Sequence, residues 1–556
     1  MAKRLLLTGV FGPFGVDDEF GRKENVMELF HNQVTKAQGI ASLRFHHRSF
    51  GLYFLAENVQ APVKILDFPT RRRFIQELEK ERYDAVGISF IAPNFIKARE
   101  MARLVRKHQP HAEIILGGHG AAIEGVEKLI ECDHVVKGEG IQWLRRYLGE
   151  RENTPIKHPS LVPAENKHIF GVPVKNSNGL LVPGVGCVNG CRFCSTSHFF
   201  GKTYTSFFST GKELYSKVLK ISADLGCDEF FVMDENFLKD KPRAVELMAQ
   251  MERDKKPFKF AVFSSAETIM DFGVENMIRL GITFVWIGAE SKHEIYEKNK
   301  GRDLKGLIKS LRSYGVTVLV SGILFLEHHT PENIWEDINY IIGLNGDFTQ
   351  FMMFTPLPVT ALYEELKQKG LIDFSLSYEE WHGQHLLNWH HPAFTKEQAK
   401  EILAAAFKAE FDQLSSSVYR TMEAEVNGYL TLKAPAERDP WLAIRREQVK
   451  EFANEYRLLF PTLKRFAHDK LERTRVIELE QRYNEVFGPM TFKQVAISWT
   501  ARCVAEFHAV KRRLFGDMPQ PKFVETFYRW EKASEPSEAT DSMPDIDSSE
   551  QNTASA

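Results

Sequence analysis

Short apolar runs alternate with helix-length segments twice along this chain, and that alternation restricts it to α/β architectures built on parallel sheets. The first series fills residues 1–150, with strand candidates at 5–10, 63–67, 84–90, 113–116 and 134–136, each bounded by Gly, Pro or charge. Between two of them Phe95, Ala98, Met101, Ala102 and Val105 recur at helical spacing. The pattern is that of a doubly wound, Rossmann-like sheet, which binds ligands at the carboxyl ends of its strands. Residues 151–178 turn polar and carry Pro155, Pro159, Pro163 and Pro173, which reads as a linker. The second series starts at Leu180, with candidates at 180–186, 229–234, 259–265, 283–289, 317–326 and 348–355. Six such units over 179–370 predict a partial (β/α)6 barrel, whose site lies at the carboxyl ends of its strands. Helical periodicity then dominates 371–533, with a capping-box pattern at Thr395 and Gln398. The last stretch, 534–556, holds six acids and no base, which predicts a disordered tail.

Size and charge narrow the function. A chain of 556 residues exceeds what one hydrophobic core serves, so several domains are expected. A formal net charge of -2 implies no nucleic-acid partner. The longest strongly apolar stretch, 316–326, is about half of the roughly 20 residues that a bilayer-spanning helix needs, so no transmembrane segment is expected. The opening Lys3-Arg4-Leu-Leu-Leu resembles the start of a signal peptide, but Asp17, Asp18 and Glu19 follow, and a buried first strand is the better reading. Six cysteines are too few for a disulfide scaffold, and three of them crowd into eight positions, which points to metal in a reducing cytoplasm.

Those three, Cys187-x3-Cys191-x2-Cys194, lie just past the first barrel strand. Three thiolates at this spacing reach three corners of an Fe–S cube and leave one iron open to a substrate. A structural zinc ion, with His198 as fourth ligand, is the alternative that the spacing leaves open. Cys132, Cys227 and Cys503 are isolated and read as buried small apolar residues. Without a second cysteine cluster, an auxiliary Fe–S centre and sulfur-insertion chemistry are not expected. Trp381, His382, His385, Trp389, His390 and His391 read either as an aromatic cap over the barrel mouth or as a surface loop with solvated histidines.

The cysteine spacing, with Phe193 before the last cysteine and a barrel strand before the motif, resembles the radical S-adenosylmethionine (SAM) superfamily. The resemblance implies a [4Fe–4S] cluster on Cys187, Cys191 and Cys194, an open iron that chelates SAM, and reductive cleavage of SAM to a 5′-deoxyadenosyl radical that abstracts hydrogen from substrate. It also implies SAM contacts at Phe193 and at strand ends: Asp234 or Glu235 for the amino group, Glu290 for the ribose or methionyl part, and Ser321 beside the adenine. Pro356-Leu-Pro-Val359-Thr360-Ala-Leu-Tyr363 is similar to the family's Pro-x-Pro-Gly-Thr-x-Leu-Tyr segment, with Val359 where Gly is usual.

In the front domain, Ser49 to Ala56, Ser89 to Ile91, Gly117-Gly118-His119 and Gly138-Glu139-Gly140 resemble, in order, segments of cobalamin-binding domains. That implies cobalamin lying against Gly117, Gly118 and Gly138, with Ser89 hydrogen-bonded to the buried dimethylbenzimidazole. The D-x-H-x-x-G motif that places a histidine on cobalt is absent from the 12–18 loop, so no histidine from that motif is expected there.

Together these resemblances span residues 3–365 and imply a cytoplasmic, cobalamin-dependent radical SAM methyltransferase acting on an unactivated carbon, with an external electron donor such as flavodoxin or ferredoxin. One alternative keeps the cofactors but ends in oxidation or ring closure without methyl transfer, as in the anaerobic magnesium-protoporphyrin cyclase type. A non-catalytic metal-binding module is the alternative from another class. The substrate is expected to be a small molecule or a lipid; the 42 Phe permit an apolar pocket but serve a core first.

Overall fold

The computed structural model of the chain describes residues 3–12, 44–169, 172–173, 178–293, 297–515 and 524–530. Its strands are β1 (Leu5–Thr8), β2 (Arg44–His47), β3 (Val63–Asp67), β4 (Ala85–Ser89), β5 (Glu113–Gly117), β6 (His134–Val135), β7 (Ala164–Ile169), β8 (Val172–Pro173), β9 (Asn178–Leu181), β10 (Gly184–Gly186), β11 (Tyr204–Ser206), β12 (Glu229–Val232), β13 (Lys259–Phe263), β14 (Ile282–Glu290), β15 (Thr317–Leu324), β16 (Phe348–Met353) and β17 (Val524–Tyr528).

The front sheet runs β3-β1-β4-β5-β6, all parallel. Chain order doubles back between β1 and β4, so the crevice at their carboxyl ends is the switch point where doubly wound sheets take ligands. Leu-Leu-Leu-Thr in β1 and Ala-Val-Gly-Ile in β4 are buried on both faces, as parallel strands covered by helices require. Helix Phe95–His108 supplies one cover through Ala98, Met101, Ala102 and Val105.

The barrel sheet runs β9-β12-β13-β14-β15-β16, parallel throughout and in chain order. The single run expected at 180–186 is two strands, because Pro183 has no N–H for the ladder and β10 turns away to pair with β11. Leu180 and Val182 are buried in one apolar cluster with Leu7, Phe54, Ile115 and Val136 of the front domain, so the two sheets share a core.

Two details add to the expected plan. Residues 151–178, read as a linker, include β7, which pairs with β2 and β8 in a small antiparallel sheet. The helix-dominated region 371–533 ends in β17, which returns to the front sheet and pairs antiparallel with the outer edge of β3. Glu525 on β17 meets Lys64 at 2.5 Å and Arg73 at 2.8 Å, closing an edge that would otherwise present unpaired backbone. The tail at 534–556 and the 13–18 part of the loop after β1 lie outside the described residues.

Helices Ser417–Thr431 and Pro440–Tyr456 form a layer on the amino-terminal side of the barrel strands. The Arg445 guanidinium bonds the Phe258 carbonyl at 2.8 Å and the Arg279 carbonyl at 3.1 Å, where helix Val274–Leu280 ends. Arg312 bonds Asp347 at 3.0 Å and the Arg420 carbonyl at 3.1 Å. Helix Ser417–Thr431 crosses so closely that a Cβ on Gly428 would sit 2.5 Å from the Gly315 backbone. Gly428→Ala should therefore push this layer off the barrel and cost about 1–3 kcal/mol. The check is a lowered Tm with an unchanged visible spectrum of the reconstituted protein; an unaltered Tm would refute the close packing.

Candidate active site

The cysteine loop joins β10 to the short helix Ser195–Phe199, and Cys194 is that helix's N-terminal flank. Its amide donates to the Cys191 carbonyl at 3.0 Å. Ser197 ties the loop further, donating to the Cys187 carbonyl at 2.7 Å and accepting from the Gly190 amide at 3.1 Å. All three cysteines are half-buried. Burial, then the neighbouring thiols, pushes Cys194 up to about 11.

Among the described residues, ligand atoms gather within 4.8 Å in two places, at His328, His329 and Asp337 and at Glu380, His382 and His385. The ring of His198 lies near the backbone carbonyls of Cys191 and Val359, and its Nε2 is buried without a hydrogen-bond partner among the described residues. Three half-buried thiols on one short loop suit three corners of an Fe–S cube.

The strand-end carboxylates separate into different roles. Asp234, at the end of β12, is buried and committed: it accepts from Tyr204 Oη at 2.6 Å and the Asn236 amide at 3.0 Å and pairs with the buried Arg243 at 3.3 Å. Glu235 instead is exposed to a cavity, where desolvation by the surrounding walls and then the Asp234 charge raise it to about 7. Glu290 ends β14 with a left-handed backbone (φ 63°) and bonds Lys298 Nζ. Burial works against the Lys298 charge, but Glu290 and then the Cys191 and Cys194 thiols outweigh it and raise its pKa. The Lys298 ammonium also stands 5.8 Å from the Phe193 ring centre. Ser321 Oγ on β15 accepts from Trp286 Nε1 at 3.1 Å.

Two cavities open beside these groups. The first, about 420 Å³, lies at the switch point and takes its walls from both sheets. Front-domain residues Leu7, Phe54, Ser89, Gly117, Gly118 and Gly138 face barrel residues Val185, Phe200, Phe207, Met233 and Glu235 across it. Gly118 and Gly138 have left-handed backbones (φ 77° and 78°), and a Cβ on Gly118 would meet the Phe90 carbonyl at 2.6 Å and Ser89 Oγ at 2.9 Å. This glycine-floored, mostly apolar slot fits a flat corrin with a buried tail. The second cavity, about 520 Å³, fills the barrel mouth and is lined by Phe193, Glu290, Ser321, Gln350, Met352, Thr355 and Val359.

Ile91, His119 and Phe199 belong to both cavities. The His119 and Phe199 rings stack at 4.5 Å, and burial lowers His119 to about 4, which keeps its imidazole neutral at neutral pH.

The cap region also takes shape. Trp381 and His382 line the barrel-mouth cavity and are buried, as are Trp389 and His391, while His390 is exposed. Thus the cap reading suits Trp381 and His382, and the surface-loop reading suits His390. Cys227 is buried, Cys132 half-buried and Cys503 exposed, so the expectation of burial fails at Cys503. Sequence reasoning passed over Arg243, Tyr204 and Lys298, because each acts across a gap in the chain with no local motif to mark it.

The comparisons with known proteins now bear on this arrangement. Residues 39–147 match the B12 binding domain family, and residues 181–341 match the Radical SAM superfamily. The chain thus carries a B12-binding domain followed by a radical SAM domain. It is 22% identical to an uncharacterized methyltransferase of Pyrococcus horikoshii, over 64% of its own length and 86% of the relative's. It is 24% identical to the bacteriochlorophyllide d C-8(2)-methyltransferase of Chlorobaculum tepidum, over 55% and 73%. Its fold is similar to that of the radical SAM methyltransferase TsrM of Kitasatospora setae, solved with cobalamin and a [4Fe–4S] cluster bound. That likeness has a TM-score of 0.52 at 16% identity, over 82% of this chain and all of that one. No helix among the described residues is long and apolar enough to cross a membrane.

The two adjacent acids should respond oppositely to neutralisation. Asp234→Asn strands the buried Arg243 charge and should cost about 3–5 kcal/mol. Glu235→Gln should leave the fold intact and change its pH dependence. Because Glu235 is raised to about 7 from 4.5, the folded state holds its proton longer than the unfolded chain, and stability falls as pH rises across that window. Denaturant titration of the cluster-free variants checks both: Glu235→Gln should flatten that fall, and an equal loss of stability in both variants would contradict the division of roles.

Proposed function

We propose that this radical SAM enzyme is a cobalamin-dependent methyltransferase that methylates an unactivated carbon of a small apolar or lipid substrate. The observation that carries the reading is the shared wall of Ile91, His119 and Phe199, which sets the glycine-floored slot directly beside the barrel mouth. Methyl transfer demands that donor, acceptor carbon and hydrogen-abstracting group lie close together, and adjoining cavities meet that demand. When bound, the cluster with SAM supplies a hydrogen-abstracting radical and the cobalamin a transferable methyl group.

The chain's residues bind, orient and shield. Cys187, Cys191 and Cys194 would hold the cluster. Phe193, Glu290 and Ser321 at the barrel mouth would hold SAM; Glu235 lines the slot instead, and Asp234 positions the β12 end through Tyr204 and Arg243 rather than touching ligand. Gly117, Gly118 and Gly138 would let the corrin and its tail lie against backbone, and Ser89 would bond the tail. Ile323, Met352, Met353, Phe354 and Leu357 give the barrel mouth an apolar lining suited to an unactivated carbon. Trp381 and His382 close it and would keep water from a reactive centre. An external one-electron donor of the flavodoxin or ferredoxin class, in a reducing cytoplasm, completes the requirement.

The test is anaerobic reconstitution with dithionite, SAM and hydroxocobalamin. Wild type should form 5′-deoxyadenosine and retain cobalamin by its visible spectrum. Cys194→Ala should abolish deoxyadenosine, while Gly118→Val, which fills the slot floor, should lose cobalamin and keep deoxyadenosine formation. Products that gain one methyl mass support the reading. Oxidised or cyclised products without that gain would replace it with the cyclase-type alternative.

A further inference from the structure

Helix Phe492–Phe515 carries an apolar stripe on its outer side that no other described residue covers. Phe492, Trp499, Cys503, Phe507, Val510 and Leu514 recur at spacings of four, three or seven and fall within a sector of about 80° at 3.6 residues per turn. Their exposure is high where it counts most: 90% at Phe492, 51% at Trp499, 70% at Phe507 and 68% at Leu514. The opposite side, through Ser498, Ala505 and His508, packs on the 457–466 segment, so the stripe points away from the body of the protein. An isolated exposed Leu needs no explanation, but six large or apolar side chains in one line do.

The flanks identify the partner. On the same helical wheel, Lys493 and Lys511 border the stripe on one side and Arg502 and Arg513 on the other. Arg502 lies 4.9 Å over the Trp499 ring and bonds Glu506, the single acid of the helix. Lys493, Lys511 and Arg513 have no carboxylate partner among the described residues. Aromatic and aliphatic side chains between two basic borders match the apolar interior and anionic headgroups of a bilayer surface. At about 1.5 Å per residue the helix presents some 36 Å of such edge, lying along the surface and not crossing it.

We propose that this helix docks the protein on an anionic lipid surface, with the stripe seated among the acyl chains and the four bases on the headgroups. The inference stands apart from the methyl-transfer reading, because the helix lines neither cavity. Its test uses the full chain, floated with vesicles of phosphatidylcholine alone or with about one-third phosphatidylglycerol. Wild type should float with the anionic vesicles, less so with neutral ones, and progressively less as salt rises. A Trp499→Glu/Phe507→Glu variant should float roughly tenfold less. Lys511→Glu/Arg513→Glu should lose the preference for anionic lipid while keeping its circular dichroism melt. Wild type that floats with neither vesicle overturns the proposal. So does a wild-type dimer in sedimentation that Trp499→Glu/Phe507→Glu converts to monomer, since a second copy would then cover the stripe.

Discussion

Leu180 and Val182, at the start of the barrel, are buried in the same apolar cluster as Leu5, Leu7, Phe54 and Ile115 of the front domain. At about 1.5–3 kcal/mol per fully buried aliphatic side chain, this seam fixes how the two sheets face each other far more firmly than a polar linker could. Phe207, Phe231 and Met233 pack against it from the barrel side. Because the seam sits beneath the carboxyl ends of both sheets, the gap above it becomes a slot with one wall from each. The slot is thus a consequence of core packing, and its width cannot change without separating Val182 from its front-domain neighbours.

Polar groups around the barrel mouth are held at a cost in stability. Asp234 and Arg243 are both buried, and such a pair is worth little stability in itself, because desolvation offsets most of its attraction. What it does is fix the end of β12, so that Glu235 opens onto the slot. Glu290 and Val359 both have left-handed backbones, at φ 63° and 69°, beside the same cavity. For a β-branched residue that conformation costs roughly 1–2 kcal/mol. The φ at Val359 also explains why glycine is the usual residue there: the turn keeps its shape in this chain, and the valine bears the strain.

Legibility in the sequence followed distance along the chain. Each parallel strand is a short apolar run between helix signals, so the strands of both sheets and the capping box at Thr395 could be read directly. The cysteine trio was legible because eight residues carry the whole pattern. β17 was not, since its partner β3 lies more than 400 positions away and nothing strand-like surrounds it. The same reason hid Lys298 beside the thiols. Adjacent Asp234 and Glu235 could not be told apart, because only the fold brings Tyr204 and Arg243 to one of them. Cys503 looked like a core residue by type, and only the packing of its helix shows the side it faces.

The helix Ser195–Phe199 is where these constraints meet. Its first flank is Cys194, its middle residue Ser197 braces the cysteine loop, and its last residue Phe199 stacks on His119 in the wall between the cavities. Five residues therefore connect the thiols to both ligand spaces. His119 comes from the front domain, just past β5, so one face of that wall is set by the front sheet and the other by the barrel loop. Shape selection at the barrel mouth is accordingly not a property of the barrel alone: Ile91, Ala92, Pro93 and His119 of the front domain line it as directly as Met352 or Leu357 does. On the proposed reading, a substrate entering there would be read by both sheets at once, which would tie its acceptance to the same docking that shapes the slot.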